Sequence, residues 1–240
     1  MVSQALAASC RRGSAKVVLL VILVVIAGAL AIRQLTREAA PGSFVRESFE
    51  ERVGSEIART AREIAGDSSS GRIGVLLLSP HDQGPYAKRL ATLTGELQKA
   101  GRSLGKYDAL TGATKLYGER DYEEDYSPSI DAALKDLEPD VLIVLTGGGF
   151  THARVSSAME DFVDGGGKFV FVGHLYQTGS PVLELIRNGT AVAVVRNTGP
   201  LAARAPQTRK LEASSPEEYV RNYYTTLTAD NVVTLLKTSP

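Results

Sequence analysis

A single cysteine, Cys10, supplies all the thiol chemistry of this 240-residue chain, and it lies ahead of the apolar segment near the N-terminus. The part that follows can hold no disulfide, CxxC centre or cysteine nucleophile. An excess of one charge is also lacking. Twenty-seven basic residues balance 27 acidic ones, with no basic run of five or more. Non-specific nucleic-acid binding relies on cationic surface that displaces counterions, so nucleic acid is not an expected partner. Histidine is scarce. His81, His152 and His174 are the only three, and none stands at an HxH or HExxH spacing. No GxSxG elbow occurs, which argues against a serine hydrolase of that design. The glycine-rich stretch Gly147-Gly148-Gly149 fails both common phosphate fingerprints. Gly147 leads to His152 where GxGxxG needs glycine, and Phe162 stands where GxxxxGK needs its first glycine before Gly167. No cofactor is expected.

What is present begins with VVLLVILVVIAGALAI, residues 17–32, which carries no charge and follows Arg11, Arg12 and Lys16. A membrane span needs roughly 17 to 20 apolar residues, and Lys16 and Arg33 can snorkel to extend this one. The basic flank keeps residues 1–16 in the cytoplasm. The expectation is a single-pass membrane anchor over 17–33, with the bulk of the chain outside the membrane. The alternative is a cleaved signal peptide, for which Ala29-Leu30-Ala31 offers a small-residue site and which would leave a secreted or periplasmic protein.

Residues 34–71 read as a helical stalk and linker. Val45, Phe49, Val53, Ile57 and Ile64 fall near one helical face, which either packs on the domain or pairs with a second copy. From 72 to 200 the pattern alternates strand and helix. Strands are expected at Ile73–Leu78, weakly near Lys115–Tyr117, at Val141–Leu145, at Phe169–Val172 and at Ala191–Val195. Helices are expected from Tyr86, from Ser127 as N-cap, through the Val155–Val163 stripe, and from Ser180. Residues 201–240 read as a linker and a C-terminal helix opened by a Ser215–Glu218 capping box and packed on the domain. Alternating elements of this kind make a single doubly wound, mostly parallel, five-stranded α/β sheet of flavodoxin-like form.

Ligands in such sheets sit beyond the carboxyl ends of the strands. The residues found there set the candidate cleft: Ser79, His81, Asp82 and Tyr86 after the first strand, Thr146, Gly147, Gly148 and Phe150 after the third, His174 after the fourth, and Asn197 after the fifth. The three glycines are expected to form a tight turn with positive φ that bares backbone. His81, Asp82, His152 and His174 could instead hold zinc or iron for a metal-dependent hydrolase. The run Glu119–Asp125 lacks the spacing of a known calcium loop and reads as solvated. Asn188-Gly189-Thr190 fits a sequon, with Gly189 more simply a helix C-cap.

Several segments carry a resemblance. IGVLLLSPHDQGPYAKRLATLTGELQKAG resembles the opening unit of type I periplasmic binding proteins of the sugar-binding kind. DVLIVLTGGGFTHARVSSAMEDFVDGGGKFVFVG resembles their next unit, VLELIRNGTAVAVVRNT a late segment, and YYTTLTADNVVTLL their last residues with a T-x-x-N-V turn. Together these cover most of residues 72–236. The resemblance implies one lobe of that fold, a non-catalytic role, a small polar solute such as a sugar, and a membrane transporter or sensor as partner. It also implies a half-cleft, because the chain passes from Val172 almost directly to the late segment near Val182, where family members build most of a second lobe. MEDFVDGGGKFVFVGH is similar as well to glutamine-amidotransferase-like and trehalose-utilisation domains, whose cysteine chemistry this chain cannot perform. A third possibility is a structural module that dimerises through the stalk.

Overall fold

The computed structural model describes residues 41–66, 71–78, 84–109, 125–149, 154–175, 180–204 and 215–237. Residues from Arg46 onward form one compact unit. In chain order the elements are α1 (Pro41–Ala65), β1 (Arg72–Leu77), α2 (Gly84–Lys99), β2 (Ser103–Asp108), α3 (Ser127–Leu137), β3 (Val141–Gly149), α4 (Ser157–Asp164), β4 (Lys168–His174), α5 (Val182–Arg187), β5 (Ala191–Arg196), a 3-10 turn (Gly199–Arg204), α6 (Pro216–Tyr223), β6 (Tyr224–Leu227) and α7 (Val232–Lys237).

The sheet has six strands in the order β2-β1-β3-β4-β5-β6, not five. The first five are parallel, and β6 closes the edge antiparallel to β5. The second strand lies at Ser103–Asp108, upstream of the expected Lys115–Tyr117, which falls outside the described residues. Residues 201–237 supply the sixth strand as well as helices, where a linker and one helix were expected.

Successive strand residues point to opposite faces. On one face Leu76, Leu142, Val144, Phe169, Phe171, Ala193 and Val195 join the core that α3, α4, α5 and α7 cover with Ile130, Met159, Leu183 and Val232. The alternate positions Ile73, Val75, Leu77, Ile143, Leu145, Val170, Val172 and Val194 are equally buried. They face the other way, where α1 supplies Phe49, Val53, Ile57, Ala58 and Ala61 and α2 supplies Leu93 and Leu97. The apolar face of α1 therefore packs on the domain, the first of its two expected fates. Polar contacts fix it there. Ser55 donates to Glu96 of α2 at 2.6 Å, and Thr226 of β6 donates to Glu56 at 3.4 Å. No helix among the described residues is long and apolar enough to cross a membrane, and the expected anchor at 17–33 lies outside them.

Two expected caps differ in their fate. Ser215 caps α6, its hydroxyl accepting the Glu218 N–H at 3.2 Å. Ser127 does not cap α3. Tyr126 holds the N-cap position, and the Asp125 carboxylate accepts the Ser127 N–H at 3.0 Å. A carboxylate two residues ahead competes for the amide that the serine was expected to leave to its own side chain. The Ser127 hydroxyl is left to accept the Arg154 N–H at 2.8 Å, which ties the start of α3 to the segment after β3. The expected T-x-x-N-V turn is present, with the Asn231 carboxamide accepting from Thr228 N and donating to Thr226 O, both at 2.9 Å.

Close approach sets where glycine is needed. Gly74 and Gly105 are register partners on β1 and β2, and a Cβ on either would meet Leu137 of α3 at 3.0 or 2.9 Å. Gly54 of α1 lies against α2, where a Cβ would stand 2.5 Å from the Arg89 carbonyl oxygen. Alanine is intrinsically favoured over glycine in a helix by about 1 kcal/mol. At Gly54 the clash is with backbone and reverses that sign, so Gly54→Ala should lower stability by about 1–3 kcal/mol. Gly95 of α2 has open space around its Cβ position, and Gly95→Ala should raise stability by about 0.5–1 kcal/mol. Urea unfolding of the two variants checks the pair; equal signs would contradict the α1–α2 packing.

Candidate functional site

The carboxyl ends of β3, β4 and β5 meet the start of β6 in one line. Gly149 pairs with His174, His174 with Arg196, and Arg196 with Tyr224. Paired residues on adjacent strands face the same side, and strands stand about 4.8 Å apart. The line thus presents bare backbone, an imidazole, a guanidinium and a phenol in sequence over roughly 14 Å. By alternation from Val172 and Val194, His174 and Arg196 point to the face that α1 and α2 cover. Both helices end their cover with polar groups at this rim.

Those groups form a buried cluster. Arg89 of α2 donates through Nε to Glu50 of α1 at 2.7 Å, and its Nη2 stands 2.5 Å from the same carboxylate oxygen. Nη2 also donates to the Tyr224 hydroxyl at 3.1 Å, and the guanidinium lies 4.9 Å from the centre of the Tyr86 ring. Arg89 and Glu50 are 5% and 4% exposed, so neither charge has water to fall back on. Burial works against the Arg89 charge, but Tyr224 and Glu50 outweigh it and raise its pKa. Aromatic packing walls the cluster. Tyr219 of α6 stacks on Phe49 at 4.4 Å and meets Tyr224 edge-on at 6.1 Å. Burial pushes the phenols of Tyr224 and Tyr219 up, so both stay neutral at physiological pH.

His174 is half-buried, with Nδ1 3.0 Å from the Thr198 hydroxyl. Burial, then the charges of Arg196 and Arg89, lower its pKa below the ordinary 6.5. It is a neutral hydrogen-bonding group at pH 7.

The expected site residues divide into three sets. His174 and Tyr86 come together at the rim. Thr146 and Asn197 are buried and serve the fold: Thr146 donates to Val172 O at 3.0 Å, while Asn197 donates to Asn222 O at 2.9 Å and accepts from Thr225 at 2.6 Å. Ser79, His81, Asp82 and Phe150, with His152 of the metal alternative, lie outside the described residues. The glycines correct one expectation. Gly147 and Gly148 belong to β3, which runs on to Gly149 with a register shift after Leu145, so no tight turn follows Leu145. The strand continues because Gly149 still finds a partner in His174, and the bared backbone lies along the rim. Glu50, Arg89, Arg196 and Tyr224 were not among the expected site residues. Arg196 alone had a sequence signal, its place at a strand exit.

The comparisons with known proteins follow this geometry. No family model and no curated protein matches the chain. Among solved structures it is similar to a sugar ABC transporter sugar-binding protein from Bacillus halodurans, at 15% identity over 78% of this chain and 64% of that one, with a TM-score of 0.45. It is similar to an arabinose-binding protein from Geobacillus stearothermophilus, at 15% identity over 79% of this chain and 63% of that one, TM-score 0.43. It is also similar to a twin-arginine translocation pathway signal protein from Burkholderia phytofirmans, at 16% identity over 78% of this chain and 57% of that one, TM-score 0.44. The chain thus spans 57 to 64% of the length of these structures.

Two outcomes follow. Removing one partner of a buried ion pair strands the other charge, so Glu50→Ala should cost about 3–5 kcal/mol. The double variant Glu50→Leu with Arg89→Met should recover most of that loss, as a denaturation cycle over the four proteins would show. For His174, a lowered native pKa means that the unfolded chain binds the proton more readily. Its contribution to stability is therefore present above pH 6.5 and lost as the pH falls below that value. Melting of wild type and His174→Gln at pH 7.5 and 5.5 checks it: the variant should lose less on acidification, and parallel losses would refute the assignment.

Proposed function

We propose that this chain is an exported, membrane-tethered domain that binds a small polar solute at the carboxyl edge of its sheet and performs no chemistry. The observation that carries the reading is the row Gly149–His174–Arg196–Tyr224, which sets exposed backbone beside a neutral imidazole, a cation and a phenol. The buried Arg89–Glu50 pair holds the helices that flank this row. Small-solute sites in open α/β sheets combine a few convergent polar groups with an aromatic or apolar wall, beyond the strand ends. In the order β2-β1-β3, the crevice opens between β1 and β3. Ser79, His81 and Asp82 after β1 and Phe150 after β3 would supply its other wall. Among the described residues no group of three His, Cys, Asp or Glu side chains could hold a metal ion. Residues 17–33 would tether the domain outside the membrane, beside a transporter or sensor that receives the solute signal.

Thermal melting against a panel of small solutes tests the reading. Sugars and polyols head the panel, because two of the similar structures are named as sugar-binding proteins. A true ligand at 100 times its Kd should stabilise the protein by roughly 2.7 kcal/mol. His174→Ala should remove that shift while leaving the unliganded fold intact. No shift with any compound would sink the solute reading in favour of a structural module, and stoichiometric bound zinc or iron would favour the hydrolase.

A further inference from the structure

Resting on the solute-binding reading, we propose that the solute is an anion, a small molecule whose carboxylate or phosphate group is held by Arg196. The row leaves one positive charge unanswered. Of the cations at this rim, Arg89 is committed to Glu50 through two of its nitrogens, and that pair is buried. Glu50 is thereby spent and cannot serve Arg196. Arg196 is exposed, and among the described residues no side chain hydrogen-bonds or ion-pairs with it. Its neighbours along the row are a neutral imidazole and a neutral phenol. The described carboxylate at a strand's carboxyl end, Asp108, closes β2, four strands away in the sheet order. That is roughly 19 Å at the usual strand spacing, about twice the screening length at physiological salt. Asp82 follows β1, three strands from β5.

A neutral sugar at this rim would use the bare backbone and the imidazole but would leave the guanidinium fork empty. A carboxylate or phosphate matches that fork with two parallel charge-assisted hydrogen bonds. The depressed titration of His174 reports the same positive potential from Arg196 and Arg89.

Calorimetry and melting on the full chain with matched solutes test this: glucose, glucuronate and glucose 6-phosphate; galactose and galacturonate; ribose and ribose 5-phosphate; and inorganic phosphate alone. At least one acidic member should bind about tenfold or more tightly than its neutral parent, and binding should weaken as salt rises. A preference for the uronates assigns a carboxylate; a preference for the sugar phosphates, or binding of inorganic phosphate itself, assigns a phosphate group. Arg196→Gln should lose that preference while melting like wild type without ligand, and Arg196→Lys should retain part of it. Neutral sugars binding as tightly as their acids, or Arg196→Gln binding acids unchanged, would overturn the anion and leave the solute site standing. No response to any compound would remove both.

Discussion

A parallel sheet must be covered on both faces, and in this chain the second cover is α1 beside α2. Ile143, Val170, Val172 and Val194 are buried because Phe49, Val53 and Ile57 lie where water would otherwise reach them. Each such side chain contributes about 1.5–3 kcal/mol relative to exposure. A segment that reads as a stalk is therefore part of the core. The site depends on the same contact, because Glu50 sits one residue beyond Phe49 and reaches Arg89 only while α1 lies along α2. Fold and rim are held by a single packing decision.

That coupling explains how a buried ion pair is tolerated here. Two desolvated charges seldom stabilise a fold by themselves, since their attraction must first offset lost hydration. In this cluster the remaining donor capacity of Arg89 is taken by the Tyr224 hydroxyl, and its face by the Tyr86 ring. The pair thus joins α1 and α2 to the first residue of β6, whose partner across the sheet is Arg196. Its effect is geometric. It fixes the helix ends relative to the strand ends, and it removes the nearest carboxylate from competition at the rim.

How far the sequence showed this depended on burial. β1, β3, β4 and β5 were legible because strands covered on both faces are runs of Val, Ile, Leu and Phe. β2 was missed because it is an edge strand: SLGKYD is half-exposed and its apolar signal is diluted by Lys106 and the glycine that admits Leu137. β6 is four residues long and holds two threonines, too short to separate from the helix before it. At the site, strand exits were found by rule, which placed His174 correctly. The rule cannot tell a polar residue that faces a ligand from one that the fold consumes, and Thr146 and Asn197 are of the second kind. Glu50 and Arg89 were invisible for the opposite reason. On amphipathic helices they read as solvated charges, and only the approach of the two helices buries them together.

The glycines of β3 show what the fold adds to a motif. Spacing alone excludes a phosphate loop, since a cradle of that kind needs a turn whose amides converge on a helix start. Here the backbone stays extended through Gly149, so its amides and carbonyls alternate along the rim and do not converge. A side chain at Gly149 would stand in the row beside His174, on ground that the row leaves open. Anion recognition at this edge then falls to a side chain, Arg196, and the glycines act by leaving space in front of it. The same chemistry that a glycine loop performs with backbone amides is divided here between a guanidinium that carries the charge and a strand that gives access to it.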